Sequence, residues 1–204
     1  MIKIDQRIFV VLFILSYLTM LIGGGLLKPG YSHISQYISE LNAVNTPNAA
    51  LIGWFGFIPF GVFGLLLLSV TSKYVPLKGF SRIGYWLLMA EPIAYIGSAF
   101  APCDVGCPTE GSQSQLIHNT LGAITYLFTT IGLIIISLSS NLSGKMRALW
   151  LVLAIVWFGL FSLMLEPSFS EWRGIIQRLA EWIVYGVLTA SAWHFLARAK
   201  PQSL

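Results

Sequence analysis

Long apolar runs, separated by short polar segments, dominate the pattern along this chain. Six of them lie near Ile8–Leu27, Ala49–Val70, Gly79–Phe100, Gln115–Leu138, Arg147–Leu165 and Ile175–Leu196. Each is about 20 residues, the length a helix needs to cross roughly 30 Å of hydrocarbon. The pattern predicts an all-α integral membrane bundle of six transmembrane helices, with residues 1–204 forming one six-span domain. The first run carries no small-residue cleavage site after it, so it reads as a retained helix rather than a signal peptide.

Charge gives the bundle a direction. With the N-terminus in the cytoplasm, Lys3, Arg7, Lys73, Lys78, Arg82, Lys145, Arg147, Arg198 and Lys200 fall inside. Only Lys28, Arg173 and Arg178 fall outside, while Asp5 is the one acid inside and Glu91 lies within a span. This is the positive-inside distribution for six spans with both termini cytoplasmic. Composition agrees: the 204 residues are 56% hydrophobic and 10% charged, with a mean hydropathy of +0.76. A soluble domain carries about 25% charged residues. The net charge of +4 is spread over loops as topology determinants, so it predicts no nucleic-acid partner. Compact loops and the lack of an organelle-targeting segment favour a prokaryotic inner membrane. The expected partners are membrane lipids, with a membrane-protein partner or a homo-oligomer as further options.

Two outer segments depart from plain connectors. In Tyr31–Ala43, Ile34, Tyr37, Ile38 and Leu41 fall at i, i+3, i+4 and i+7, which predicts a short amphipathic helix lying at the membrane surface. Pro29-Gly30 and Asn45-Thr-Pro47 would separate it from the flanking spans. Gly174, Gln177, Arg178 and Glu181 repeat the same spacing at the outer end of the last span. A polar stripe there must point into the bundle or a wet cavity, because lipid would not tolerate it.

The outer end therefore collects His33, Ser35, Ser39, Glu40, Asp104, His118, Asn119, Glu166, Gln177, Arg178 and Glu181. Histidines and carboxylates in this number are enough for acid–base work or a metal site. Ser39, Glu40, Asp104 and His118 are the candidate catalytic residues. His33, Gln177, Arg178, Glu181 and Glu91 are candidate ligand contacts, and His33, Asp104 and His118 a candidate zinc set. Bland readings compete: His118 can simply cap a span, Asp104 can turn its loop, and Arg178 can pair with Glu181 or with Glu40. Glu91, followed by Pro92, is the most costly residue, because a carboxylate in mid-membrane must be paired, hydrated or protonated. It reads either as a proton relay or substrate contact, or as a protonated group bonding a carbonyl freed by Pro92.

Cys103 and Cys107 share one outer loop, with Asp-Val-Gly between them. A local disulfide is the leading reading; a zinc-bound or free pair and a redox-active pair are the others, though a redox enzyme more often shows Cys-x-x-Cys. His194 reads as interfacial, and Trp54, Trp86, Trp150, Trp172, Trp182 and Trp193 as aromatic-belt anchors. No Walker loop, dinucleotide fingerprint or His-Glu-x-x-His motif is present.

Taken together, Lys28-Pro-Gly-Tyr31, Ile38-Ser-Glu-Leu-Asn-Ala43, Ala101-Pro-Cys-Asp104, His118 and Gly174-Ile-Ile-Gln-Arg178 resemble a known family. It is the prokaryotic multi-pass membrane family catalogued as domain of unknown function 998, and the resemblance covers nearly the whole chain. Asn42 stands where the family usually has Gly, a change that a left-handed turn would accept. The resemblance implies the fold and topology but lends no reaction. It implies that Ser39, Glu40, Asp104, His118, Gln177 and Arg178 form one constellation.

Three functions compete. One is a non-catalytic membrane protein that binds a lipid or lipid-like ligand, or another membrane protein. A second is a zinc-dependent hydrolase acting on a lipid substrate, loosely similar to the alkaline ceramidase-like enzymes. That similarity is weakened because only two histidines lie on the outer side and a seventh helix is missing. The third is a small proton-coupled transporter using Glu91.

Overall fold

The computed structural model describes residues 5–198. Lys3 and Lys200, counted above as cytoplasmic, lie outside the described residues. All six apolar runs are helical. They form α1 (Ile8–Leu27), α2 (Ala49–Thr71), the pair α3 (Phe80–Leu87) and α4 (Ala90–Phe100), α5 (Gln113–Ser137), α6 (Gly144–Leu165) and α7 (Arg173–Arg198). Of these, α1, α2, α5 and α6 are continuous and apolar enough to cross a membrane by length and composition. The third run is split, and α7 has the length but gives one face to polar residues.

Pro92 accounts for the split. Proline has no N–H, and its ring clashes with the carbonyl four residues earlier, here Leu88. The chain tightens instead: the Leu88 N–H donates to the Tyr85 carbonyl at 3.3 Å and the Met89 N–H to Trp86 at 3.0 Å. The Thr125 hydroxyl on α5 donates to the Ala90 carbonyl beside the break at 3.4 Å. Glu91 therefore stands in the first turn of α4, inside the bundle.

The helices close into a ring. α1 packs on α2, α2 on α4, α4 and α3 on α5, α5 on α6, α6 on α7, and α7 returns to α1 and α2. Close approach at the break depends on Gly64. A Cβ there would lie 2.9 Å from Pro92 Cβ and 3.3 Å from the Phe13 ring. Small residues play this part in membrane helix packing. One core gathers Phe13, Tyr17, Phe60, Tyr95 and Tyr185, and the other Tyr126, Leu133, Trp150 and Trp157. Trp150 is thus a core residue, not a belt anchor. His194 is exposed, as expected of an interfacial residue.

Arg7 lies 5.2 Å over the Trp193 ring, so the start of α1 and the end of α7 sit at one end of the bundle. The basic connectors near Thr71–Lys78 and Ser139–Lys145 share that end with them, since Leu77, Leu142 and Phe195 line one common cavity. We call this the basic end and the opposite one the loop end.

The first loop needs a correction. Its helix is a single 3-10 turn, Ile38–Asn42, rather than an amphipathic helix over Tyr31–Ala43. Ile38 and Leu41 are fully buried, while Ile34 is exposed. The loop plugs into the bundle instead of floating on it. Asn42 is not left-handed; that role falls to Asn45 (φ 57°) and Asn48 (φ 59°). The Asn42 side chain instead donates to the Ser98 carbonyl on α4 at 2.8 Å, where glycine would have no donor.

Gly64→Leu is expected to lower the thermal midpoint of the detergent-solubilised protein, with overpacking costing about 1–3 kcal/mol. Gly159→Leu, at a position where a Cβ meets nothing within 4 Å, serves as the control and should leave it nearly unchanged.

Candidate functional site

At the loop end, α7 begins beneath the first loop. The Ile175 N–H donates to the Ile34 carbonyl at 2.9 Å, and a Cβ on Gly174 would stand only 2.8 Å from that same oxygen. Arg173 donates through Nε to the Ser35 carbonyl (3.1 Å) and through Nη2 to Glu40 (3.0 Å) and the Gly106 carbonyl (3.2 Å). Its guanidinium also stacks 4.4 Å over the Tyr37 ring. Gln177 accepts from the Ile38 N–H at 2.8 Å. Arg178, 1% exposed, donates to the Gln36 carbonyl (3.0 Å), the Gly174 carbonyl (2.8 Å) and the Tyr31 hydroxyl.

Glu40 is the hub of the loop. Its carboxylate accepts from the Tyr37 N–H and from Gln36 Nε2, each at 3.0 Å, as well as from Arg173. Lys28, buried beneath it, donates to the Glu40 carbonyl. Burial holds the Lys28 ammonium below the ordinary lysine range, and Glu40 opposes that shift. The expected partnerships are therefore redistributed. Glu40 pairs with Arg173 rather than Arg178, and Arg178 does not pair with Glu181 but binds backbone and Tyr31.

Cys103 and Cys107 are joined in a disulfide, with Cα atoms 5.2 Å apart. The Ser39 hydroxyl points at Cys107 Sγ from 3.3 Å, tying this ring to the first loop. Asp104 spends both oxygens on Ser112, accepting from its N–H and its hydroxyl at 2.8 Å each. Its own N–H donates to fully buried Gln115 at 2.6 Å. Asp104 thus shapes the entry to α5. His118, one turn further on, has Nδ1 3.1 Å from the Ala101 carbonyl.

The expected zinc set is not assembled. His33 is exposed at the rim, edge-on to Tyr31. Desolvation, and then the Arg178 charge, hold its imidazole below the ordinary histidine range. Among the described residues, the one group of His, Cys, Asp or Glu with metal-ligand spacing is Cys103, Cys107 and His118, its ligand atoms within 4.8 Å of one another. A disulfide offers no thiolate, so those sulfurs are poor ligands as they stand.

Beneath this roof runs a cavity of about 370 Å³. Ser39, Cys107, His118, Asn119 and Gln177 line its upper part, and Glu91 and Glu181 its depth. Between them the wall is apolar and aromatic, with Phe57, Tyr126, Trp157, Phe161 and Met164. Glu181 accepts from Tyr95 at 2.7 Å and from Tyr17 at 2.8 Å, and Glu91 accepts from Tyr185. Ala123 and Leu165, both exposed on membrane helices, also line the cavity, so it reaches the flank of the bundle between α5 and α6. Of the expected constellation, Ser39, His118 and Gln177 share this cavity, together with the candidate ligand contacts Glu181 and Glu91. Glu40, Asp104 and Arg178 hold up its roof, and Glu166 is exposed outside it.

The sequence from residue 10 to 194 matches the family described as Protein of unknown function (DUF998). The chain belongs to this family. The match spans the first loop, the disulfide ring and the polar face of α7, so the whole site lies within the DUF998 region. No curated protein and no solved structure matches the chain. Its four helices long and apolar enough to cross a membrane support a multi-pass membrane protein.

Sequence reasoning passed over Arg173 as a site residue, along with Tyr17, Tyr95 and Tyr185. Arg173 lies one position outside the i, i+3, i+4, i+7 stripe. The tyrosines look like ordinary core aromatics, yet each carboxylate placed within a membrane calls for a hydroxyl or N–H donor.

Arg173→Ala would leave Glu40, 3% exposed, without its cation. Arg173 itself is 25% exposed, so the cost should fall below that of a fully enclosed pair, at about 2 kcal/mol. Hydrogen exchange read by mass spectrometry should show faster exchange across Ser32–Asn42, with the amides of α5 unaffected.

Proposed function

We propose that this protein binds a lipid or lipid-like amphiphile in a cavity at the outer end of its bundle, in the cytoplasmic membrane of a prokaryote. The observation that carries this reading is the cavity itself. At about 370 Å³ it falls within the roughly 300–1,000 Å³ of small-molecule sites. Its apolar middle suits a hydrocarbon chain. Its polar ends, Ser39, His118, Asn119 and Gln177 above and Glu91 and Glu181 below, suit a head group with hydrogen-bond donors. Its flank between α5 and α6 gives a hydrophobic molecule a route from the bilayer that avoids water. The outward placement of this end follows from the charge distribution, since the basic connectors lie at the opposite end.

Gly122 lines the cavity, and a Cβ there meets nothing within 4 Å. Gly122→Phe should therefore fill space without disturbing packing. Native mass spectrometry of the protein in mild detergent is expected to show about one bound lipid-like molecule per chain, lost in Gly122→Phe while the melting temperature is kept. A wild-type protein that carries no such molecule, and acquires none from added membrane lipid extract, would overturn the reading.

A further inference from the structure

Besides the large cavity, a second cavity of about 60 Å³ lies toward the basic end, and among the described residues Glu91 alone borders both. The second cavity takes its walls from Phe60, Thr71, Leu77, Tyr85, Trp150 and Tyr185. The two cavities thus approach one carboxyl from opposite ends of the bundle. Glu91 is 6% exposed; Oε1 accepts from Tyr185, and Oε2 has no hydrogen-bond partner among the described residues. Tyr185 lines only the second cavity, and Glu181 and Tyr95 only the first.

We propose that Glu91 is a proton relay that carries H⁺ across the membrane between these two cavities. A hydronium ion in one cavity gives its proton to the carboxylate, leaving water and a neutral carboxyl. The carboxyl then releases the proton to a water in the other cavity, restoring the carboxylate; one H⁺ moves and nothing is oxidised or reduced. The relay requires water beside Glu91 in the depth of the large cavity, whether or not a lipid-like molecule sits above it.

The surroundings fit a relay better than a fixed ion pair. Tyr185 from α7 contacts Glu91; Glu181 from α7, Tyr95 from its own helix and Tyr126 from α5 line the large cavity with it, and Tyr17 from α1 donates to Glu181. α2 presents Phe57, Phe60 and Gly64, which do not titrate, and α3 presents Tyr85 to the second cavity. Among the described residues, the ion pairs are Asp5–Arg7 and Glu40–Arg173, so no base locks Glu91 as a carboxylate. The second cavity is lined mostly by apolar side chains, and its volume exceeds the roughly 10–15 Å³ that a single water requires. Thr71, buried with Oγ1 unpartnered, Ser191 and Tyr185 supply polar contacts for water. The break before α4 leaves mid-membrane backbone irregular where it borders a cavity, the setting in which such irregularity is tolerated.

The test uses the full chain in phosphatidylcholine–phosphatidylglycerol vesicles loaded with a pH-sensitive dye, with a potassium gradient and valinomycin driving protons inward. Acidification is expected to be faster than in protein-free vesicles, and to fall at least tenfold in Glu91→Gln. Glu91→Asp should retain part of the flux. Wild-type flux equal to that of empty vesicles, or equal flux in Glu91→Gln, would overturn the relay. Should Glu91→Gln not fold, dicyclohexylcarbodiimide on the wild-type protein gives the same decision: an adduct mapped to Glu91 must stop the flux, and flux that survives it refutes the proposal. Lipid retention measured on the same samples is a separate readout, so relay and ligand binding can fail independently.

Discussion

The first loop and the start of α7 hold each other by backbone recognition. Arg173, Gln177 and Arg178 bind the carbonyls of Ser35 and Gln36 and the N–H of Ile38, while Gly174 lets the helix meet the loop without a side chain between them. Irregular backbone near a bilayer needs such partners, because each unpaired polar group is costly where water is scarce. The clasp also ties the segment after α1 to the start of α7, joining the first and last of the described helices at the loop end. With it in place, Ile38 and Leu41 reach the core and the roof over the large cavity is set.

Below the roof the same constraint is met with hydroxyl groups instead of cations. Two carboxylates lie within the bundle, and their donors are tyrosines from α1, α4 and α7. A tyrosine contributes a large apolar ring to the packing and a single polar atom at its tip. The aromatic core and the acid-binding shell are therefore the same residues. Phe13, Phe60 and Tyr17 all pack edge-on against Tyr185. This gives the carboxylates rigid donors while leaving the cavity walls largely apolar.

How much of this was legible differs by element. The helical runs and the grouping of basic connectors at one end follow from hydrophobic length and charge, which act locally and leave a direct trace. The polar face of α7 also read correctly, because the 3.6-residue period places Gly174, Arg178 and Glu181 inward whatever they contact. The first loop did not. Its apolar spacing mimics a surface helix, but Glu40 turns back to cap the Tyr37 N–H and binds Arg173, and the segment folds as one tight turn. Partner choice was beyond reach for the same reason: pairing Glu40 with Arg173 rather than Arg178 depends on a tertiary approach of loop and helix. His33, Asp104 and His118 do not lie at metal-ligand spacing, and Asp104 turns to Ser112 and the α5 entry, a demand that only the loop geometry reveals.

The disulfide between Cys103 and Cys107 has a consequence for how the molecule is inserted. Thiols stay reduced in cytosol and are oxidised in exterior compartments. If the loop end faces outward as proposed, a copy threaded the other way would hold both cysteines in a reducing solvent, and its Ser39 hydroxyl would face a thiol rather than a cross-link. With the outward placement proposed for the loop end, the bond would be a chemical record of orientation, legible to any thiol-specific reagent.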